Sequence, residues 1–153
     1  MQKDATQTID GMLVTGFTVN DAAFGIDARL VLEVVKVGDV TPVHGAPSGV
    51  CGIRNLRGRI VTVVDMAAHL GLGRVAVGPK TRLLIIDHQG EPYGFLVDTV
   101  TDAFDLTLDR IIAPPAGMNP ALRNRLTGVW RKDECLTAIL NADTLFNWND
   151  ETI

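Results

Sequence analysis

Histidine, cysteine, serine and carboxylate side chains are the usual agents of catalysis and metal binding, and in this chain they are few and scattered. His44, His69 and His88 fall in a loop, on a helix and at a turn, and none has a second histidine, cysteine or carboxylate at ligand spacing. Ser48 is the only serine and stands in a loop, outside any Gly-x-Ser-x-Gly elbow. Gly71-Leu72-Gly73 lacks both the Lys-Ser/Thr that follows a phosphate loop and the helix that such a loop opens. Asp65, Asp87, Asp98 and Asp102 lie at strand ends, where capping and turn roles account for them better than paired acid–base work. No catalytic, cofactor or metal constellation emerges, and the chain reads as a non-enzyme without a small-molecule substrate.

One group of polar side chains is left over. Arg54, Arg57 and Arg59 surround a single turn, with apolar runs entering at 50–56 and leaving at 60–64. β-Branched residues flanking a glycine-containing turn read as a hairpin. The hairpin needs Gly58, but it does not need three cations. Arginine beside an exposed leucine suits recognition, because its planar fork bonds a carboxylate while its face packs on apolar groups.

The elements that position this turn must come from one domain, or from two very small ones sharing a core, since the chain has 153 residues. Hydrophobic residues make up 46% and charged residues 21%, a globular balance. The net charge of −4 argues against non-specific nucleic-acid binding. Cys51 and Cys135 sit in apolar, strand-like runs and read as buried free thiols. Residues 1–11 read as a loose polar tail, and residues 149–153 as a second tail. No stretch approaches the roughly 20 apolar residues of a membrane span, so a cytoplasmic location without direct membrane insertion is expected.

Strands are expected at 12–19, 23–26, 33–37, 50–56, 60–64, 82–87, 93–97, 99–106, 126–130 and 135–140. Short helical turns are expected at 28–32, 66–70 and 120–125, with a last one through Phe146; Asp65 caps the second and Asn141 the last. Proline- and glycine-rich loops fill 38–48, 71–80 and 111–120. An internal repeat then becomes visible. Phe24-Gly25-Ile26 matches Tyr93-Gly94-Phe95 at an offset of 69 (25 to 94), which also takes Val31 to Val100 and Val34 to Ala103. Val50-Cys51-Gly52-Ile53 matches Leu126-Thr127-Gly128-Val129 at an offset of 76 (52 to 128), which also takes Asp65 to Asn141 and Leu70 to Phe146. Each half is about five short strands that must curl to hide their edges, so two small β-barrels side by side are expected. Their bounds are roughly 12–75 and 80–148 within one unit spanning 12–148, with strands free to exchange between them. The repeat also supplies a control: the second turn, Arg131-Lys132-Asp133-Glu134, is plainly polar where the first has Asn55-Leu56-Arg57-Gly58.

The run from Val50 to Met66, with Asn55-Leu56-Arg57-Gly58 followed by an apolar strand ending in Asp65, resembles the signature of the CheW family of chemotaxis adaptors. The similarity extends over residues 13–148 and includes Gly25-Ile26-Asp27, the run Leu30 to Val34, and Gly94-Phe95-Leu96-Val97-Asp98. Several positions depart from the pattern: Thr62 replaces a proline, Met66-Ala67-Ala68 a Leu-Arg pair, Ala103 a larger valine, and Trp130 is unusually bulky. The resemblance implies an all-β fold with a few short helices, built as two SH3-like five-stranded barrels packed side by side. It implies an adaptor that couples chemoreceptors to the histidine kinase CheA, in the cytoplasm, recruited to membrane-associated receptor arrays. The receptor's helical hairpin would dock in a groove formed by Val31, Gly52, Asn55, Leu56, Arg57, Gly58, Val100 and Ala103. Glu33 is expected to pair with Arg57 at the groove rim. The kinase's regulatory domain, itself a related double barrel, would pack end to end near Arg82, Leu84 and Leu145. The alternative implied is a regulatory domain excised from a CheA- or CheV-type protein.

Overall fold

The computed structural model describes residues 11–132 and 134–147. Its strands are β1 (Gly11–Val19), β2 (Ala22–Asp27), β3 (Val31–Lys36), β4 (Val50–Leu56), β5 (Arg59–Asp65), β6 (Arg82–His88) and β7 (Glu91–Val97). Then come β8 (Thr99–Val100), β9 (Phe104–Thr107), β10 (Ile111–Ile112), β11 (Leu126–Lys132) and β12 (Cys135–Leu140). The short helices are α1 (Met66–His69), α2 (Pro120–Arg123) and α3 (Ala142–Leu145). A capping side chain holds each: Asp65 accepts from Ala68 N–H at 3.1 Å, Asn119 from Ala121 N–H at 2.8 Å, and Asn141 from Asp143 N–H at 2.8 Å. The helical turn expected at 28–32 stops at Leu30, where β-branched Val31 begins β3. The extended run expected at 99–106 is broken at residues 101–103, and the loop expected from residue 111 opens with β10.

The strands form a seven-stranded and a five-stranded sheet, a mostly β architecture. The seven-stranded sheet holds β1, β2 and β8–β12, and the five-stranded sheet holds β3–β7. The sheets therefore do not divide the chain at residues 75–80. Each half lends its first hairpin to the other half's sheet. β1–β2 joins the C-terminal strands through a parallel β2–β12 pair, and β6–β7 joins the N-terminal strands through a parallel β5–β7 pair. The registers obey the repeat: Gly25 lies opposite Ile139, and Gly94 opposite Val63. The β-bulges also coincide, between Val50 and Gly52 in one copy and Leu126 and Gly128 in the other. The expected equal strand counts are corrected to seven and five for two reasons. The counterpart of β3 is split into β8 and β9, and β10 is a strand where the first copy has only a Thr41–Ile53 bridge.

The main core draws on both sheets, including Phe17, Phe24 and Ile26 from one and Val63, Leu84 and Phe95 from the other. A smaller cluster of Val14, Leu106, Trp130 and Ile139 lies in the seven-stranded sheet, where Trp130 stacks on Phe104 with centroids 5.0 Å apart. The bulk of Trp130 is thus packed inside. Cys51 is only half-buried and Cys135 is exposed at the start of β12, so buried thiols are not what the strands provide. A strand places alternate residues on opposite faces, and an apolar sequence context does not fix which face is covered.

Candidate partner-binding site

The turn between β4 and β5 has two central residues, Arg57 at φ 52° and Gly58 at φ 87°. Two left-handed residues define the tight hairpin turn that matches strand twist, and it favours Asn-Gly. The Asn20-Asp21 and Gln89-Gly90 turns have the same signs of φ. Arg57 is thus the bulkiest residue at such a position, in a conformation that costs an L-residue about 1 kcal/mol. Two contacts hold it. The Asn55 carboxamide oxygen accepts the Gly58 N–H at 2.9 Å, and the Arg57 guanidinium donates two parallel bonds to Glu33 on β3, each 2.6 Å. The hydrogen bonds from Arg57 hold the Glu33 carboxyl below its usual range, and Glu33 in turn raises the already high value of Arg57.

β3 and β4 are the opposite edges of the five-stranded sheet, and this ion pair joins them. Arg54 does the same: it donates to the Lys36 carbonyl at 2.7 Å and lies against Gly38. Thr41 and Ile53 exchange backbone hydrogen bonds at 2.8 and 2.9 Å. Arg59 is exposed, with one long contact of 3.5 Å to the Gly90 carbonyl.

The other site residues divide into surface and interior. Asn55, Gly58 and Ala103 are exposed; Val31, Leu56 and Val100 are half-buried against the core. Val31 pairs with Ile86 on one sheet and Val100 with Phe17 on the other, equivalent places in the two copies. Gly52 is buried beneath residues 41–42; a Cβ there would lie 2.1 Å from the Thr41 carbonyl oxygen. Its part is to admit that crossing strand. Leu84 and Leu145 are fully buried and offer no contact surface, which corrects the expectation at both positions. β6 sits between β3 and β7 with both faces covered, and α3 packs inward. Arg82 is half-buried and donates to the carbonyls of Pro79 and Thr81 at 3.0 and 2.8 Å.

Two apolar clefts escaped the sequence reasoning. One, of about 400 Å³, is lined by Ile53, Thr62 and Tyr93 from the five-stranded sheet and by Val43, Ala46 and Pro47 from the loop between β3 and β4. The other, of about 370 Å³, is lined by Val129, Ala138 and Phe24, the equivalents of those three strand residues in the repeat, and by Pro115 and Met118 from the loop after β10. The usable signal was the pair of proline-containing loops at matching places in the repeat. Elsewhere, His69 is buried, with its pKa lowered to about 4 first by desolvation and then by the neighbouring Arg125. His88 stacks on Phe146 at 4.0 Å. Among the described residues, no group of three His, Cys, Asp or Glu is placed to hold a metal, and no helix is long and apolar enough to cross a membrane.

A double-sheet module whose distinctive features are an ion-paired turn and two apolar clefts has the form of a protein-binding module. Residues 13–150 match the CheW-like domain, and the chain belongs to that family. It is 32% identical over 142 residues to chemotaxis protein CheW of Rhizobium meliloti, covering 91% of this chain and 90% of that one. It is also 32% identical over 110 residues to protein FrzA of Myxococcus xanthus, covering 72% and 69%. The crystal structure of scaffolding protein TtCheW from Thermoanaerobacter tengcongensis superposes with a TM-score of 0.80 at 27% identity, covering 90% of this chain and 89% of that one.

Proposed function

We propose that the chain is a non-enzymatic adaptor linking a chemoreceptor's cytoplasmic helical hairpin to the regulatory domain of a CheA-type histidine kinase. It would act in the cytoplasm, at membrane-associated receptor arrays. The observation that carries this reading is the Arg57–Glu33 pair, because Arg57 occupies a left-handed turn position that serves the hairpin less well than Asn or Gly would. Each sheet is taken as curled into an SH3-like barrel within one unit spanning 12–148. Two contacts across the open edges of the five-stranded sheet support this, Arg57 to Glu33 and Arg54 to Lys36, together with a bridge from the loop after β3, Thr41 to Ile53. The receptor hairpin would lie in the groove between the sheets, against Val31 and Leu56 on one side and Val100 and Ala103 on the other, with Asn55 and Gly58 shaping the turn that presents Arg57. The kinase contact belongs to an apolar cleft rather than to Leu84 or Leu145, since a related double-sheet domain packing end to end needs an exposed apolar surface.

The test is a binding titration of Arg57→Ala against a receptor-tip fragment and, separately, against the kinase regulatory domain. Affinity for the receptor fragment is expected to fall about tenfold while kinase affinity and the thermal midpoint stay unchanged. Unchanged receptor binding would remove the groove assignment.

A further inference from the structure

The repeat brings α1 and α3 together at matching positions, His69 and Leu145, 76 residues apart (69 to 145). His69 follows the five-stranded sheet and Leu145 the seven-stranded one, so their contact bridges the two. The His69 Nε2 lies 2.6 Å from the Leu145 carbonyl oxygen, a spacing at which Nε2 donates. The next residue, Phe146, lies flat on His88 of β6, with centroids 4.0 Å apart and planes 5° from parallel. It also meets Tyr93 and Phe95 of β7 edge-on, at 5.2 and 5.5 Å. The Asn147 carbonyl then accepts from the Arg125 guanidinium at 2.7 Å. Arg125 is only 2% exposed, between the end of α2 and the start of β11. Another donor bonds the Ala121 carbonyl at 2.9 Å, and its Nε packs 3.2 Å from His69 Nε2, whose proton is directed at Leu145.

We propose that residues 145–147 form a clasp that holds the two sheets in one fixed relation, and that Arg125 locks it. Burying a guanidinium is costly unless carbonyls accept its hydrogen bonds. Here Arg125 binds carbonyls from α2 and from the clasp and abuts the His69 ring, so one side chain ties three segments. The clasp residues contribute main-chain carbonyls and one aromatic ring, so Arg125, His69 and Phe146 determine whether it is shut. This device is distinct from the Arg57 turn and does not depend on what that turn binds.

Hydrogen exchange of the full chain tests it without any partner. In Arg125→Met, the amides of Leu70 and Leu145, on either side of the clasp, are expected to exchange at least tenfold faster, while those of Phe95 and Ile139, inside the two sheets, are unchanged. Arg125→Lys should behave like Arg125→Met, because a single ammonium cannot reproduce the two diverging bonds of the planar guanidinium to the Ala121 and Asn147 carbonyls. Phe146→Ala, with Arg125 intact, should show the same local pattern and decides the matter if Arg125→Met does not fold. Equal acceleration of all four amides would mean a general loss of stability and would overturn the clasp. So would unchanged exchange at Leu70 and Leu145.

Discussion

The β4–β5 hairpin and its counterpart β11–β12 share a bulge, a parallel neighbour and a side-chain cap on the following helix. Even the exposed apolar residue after the turn matches, with Ile60 at 55% and Leu136 at 54% exposure. The differences lie elsewhere. Arg57 and Glu33 have as counterparts Asp133 (57 to 133) and Asp102 (33 to 102), two carboxylates that cannot form the same pair. Tyr93 and Thr62 line one cleft, whereas Phe24 and Ala138, without hydroxyls, line the other. What the copies share makes the fold, and what they do not share is free to serve binding. On this comparison the cations of the first turn are additions to a hairpin that forms without them.

The largest effect should fall on the shared bulge, yet unequally. A Cβ on Gly52 would lie 2.1 Å from the Thr41 carbonyl oxygen and 2.7 Å from its carbon, both backbone atoms, at φ 151°. A Cβ on Gly128 would meet first the Ile111 Cγ2, at 2.3 Å, a side-chain atom, and then the Ile112 carbonyl oxygen at 2.6 Å. Gly52→Ala is therefore expected to cost about 3 kcal/mol for overpacking and ~1 kcal/mol more for the backbone conformation. Gly128→Ala should also be costly, since the Ile112 carbonyl oxygen is backbone, but less so than Gly52→Ala, because that contact is longer and Gly128 lacks the positive φ of Gly52. Equal losses in urea denaturation would show that the two crossings are equally rigid.

The second effect concerns the contact between the two copies. His69 has a folded pKa of about 4 against 6.5 for an unperturbed ring, so the folded chain binds fewer protons. Its contribution is fully present above about pH 6.5 and is lost as the pH falls towards 4. His69→Gln keeps an N–H for the Leu145 carbonyl and cannot be protonated. Between pH 7 and pH 4 the native chain should lose about 3 kcal/mol more stability than this variant. Parallel pH profiles would place the acid sensitivity elsewhere.

Much of this was legible in the sequence because it is local. The Asp65 and Asn141 caps and the glycine-containing turn at Gly58 act within a few residues of themselves. That strands could pass between the halves was expected, but which ones do was not legible, since the pairing of β2 with β12 and β5 with β7 is a choice between remote strands. Leu84 was expected at a surface only through the family resemblance, and alternation could not correct it, because the run Leu83 to Ile86 is apolar on both faces. Nothing near Arg125 in the sequence marks it for burial; the carbonyls of Ala121 and Asn147, brought together by the fold, explain it. The Glu33–Arg57 pair came from family resemblance, because 24 residues separate its members.

The smallest effect on stability is expected at Arg57 itself, and it separates folding from recognition most sharply. Arg57→Gly removes the ion pair to Glu33, which is exposed and screened, and relieves the left-handed conformation at the same position. The two changes oppose one another, so the thermal midpoint should stay within about 2 °C of the native value. Arg57→Asn should do the same, since asparagine tolerates this region of φ and ψ. Both variants should lose receptor-fragment binding as Arg57→Ala does, although the turn is if anything better suited to its strands. A drop of many degrees in either variant would instead make the ion pair the fastening of β3 to β4, and Arg57 a residue of the fold.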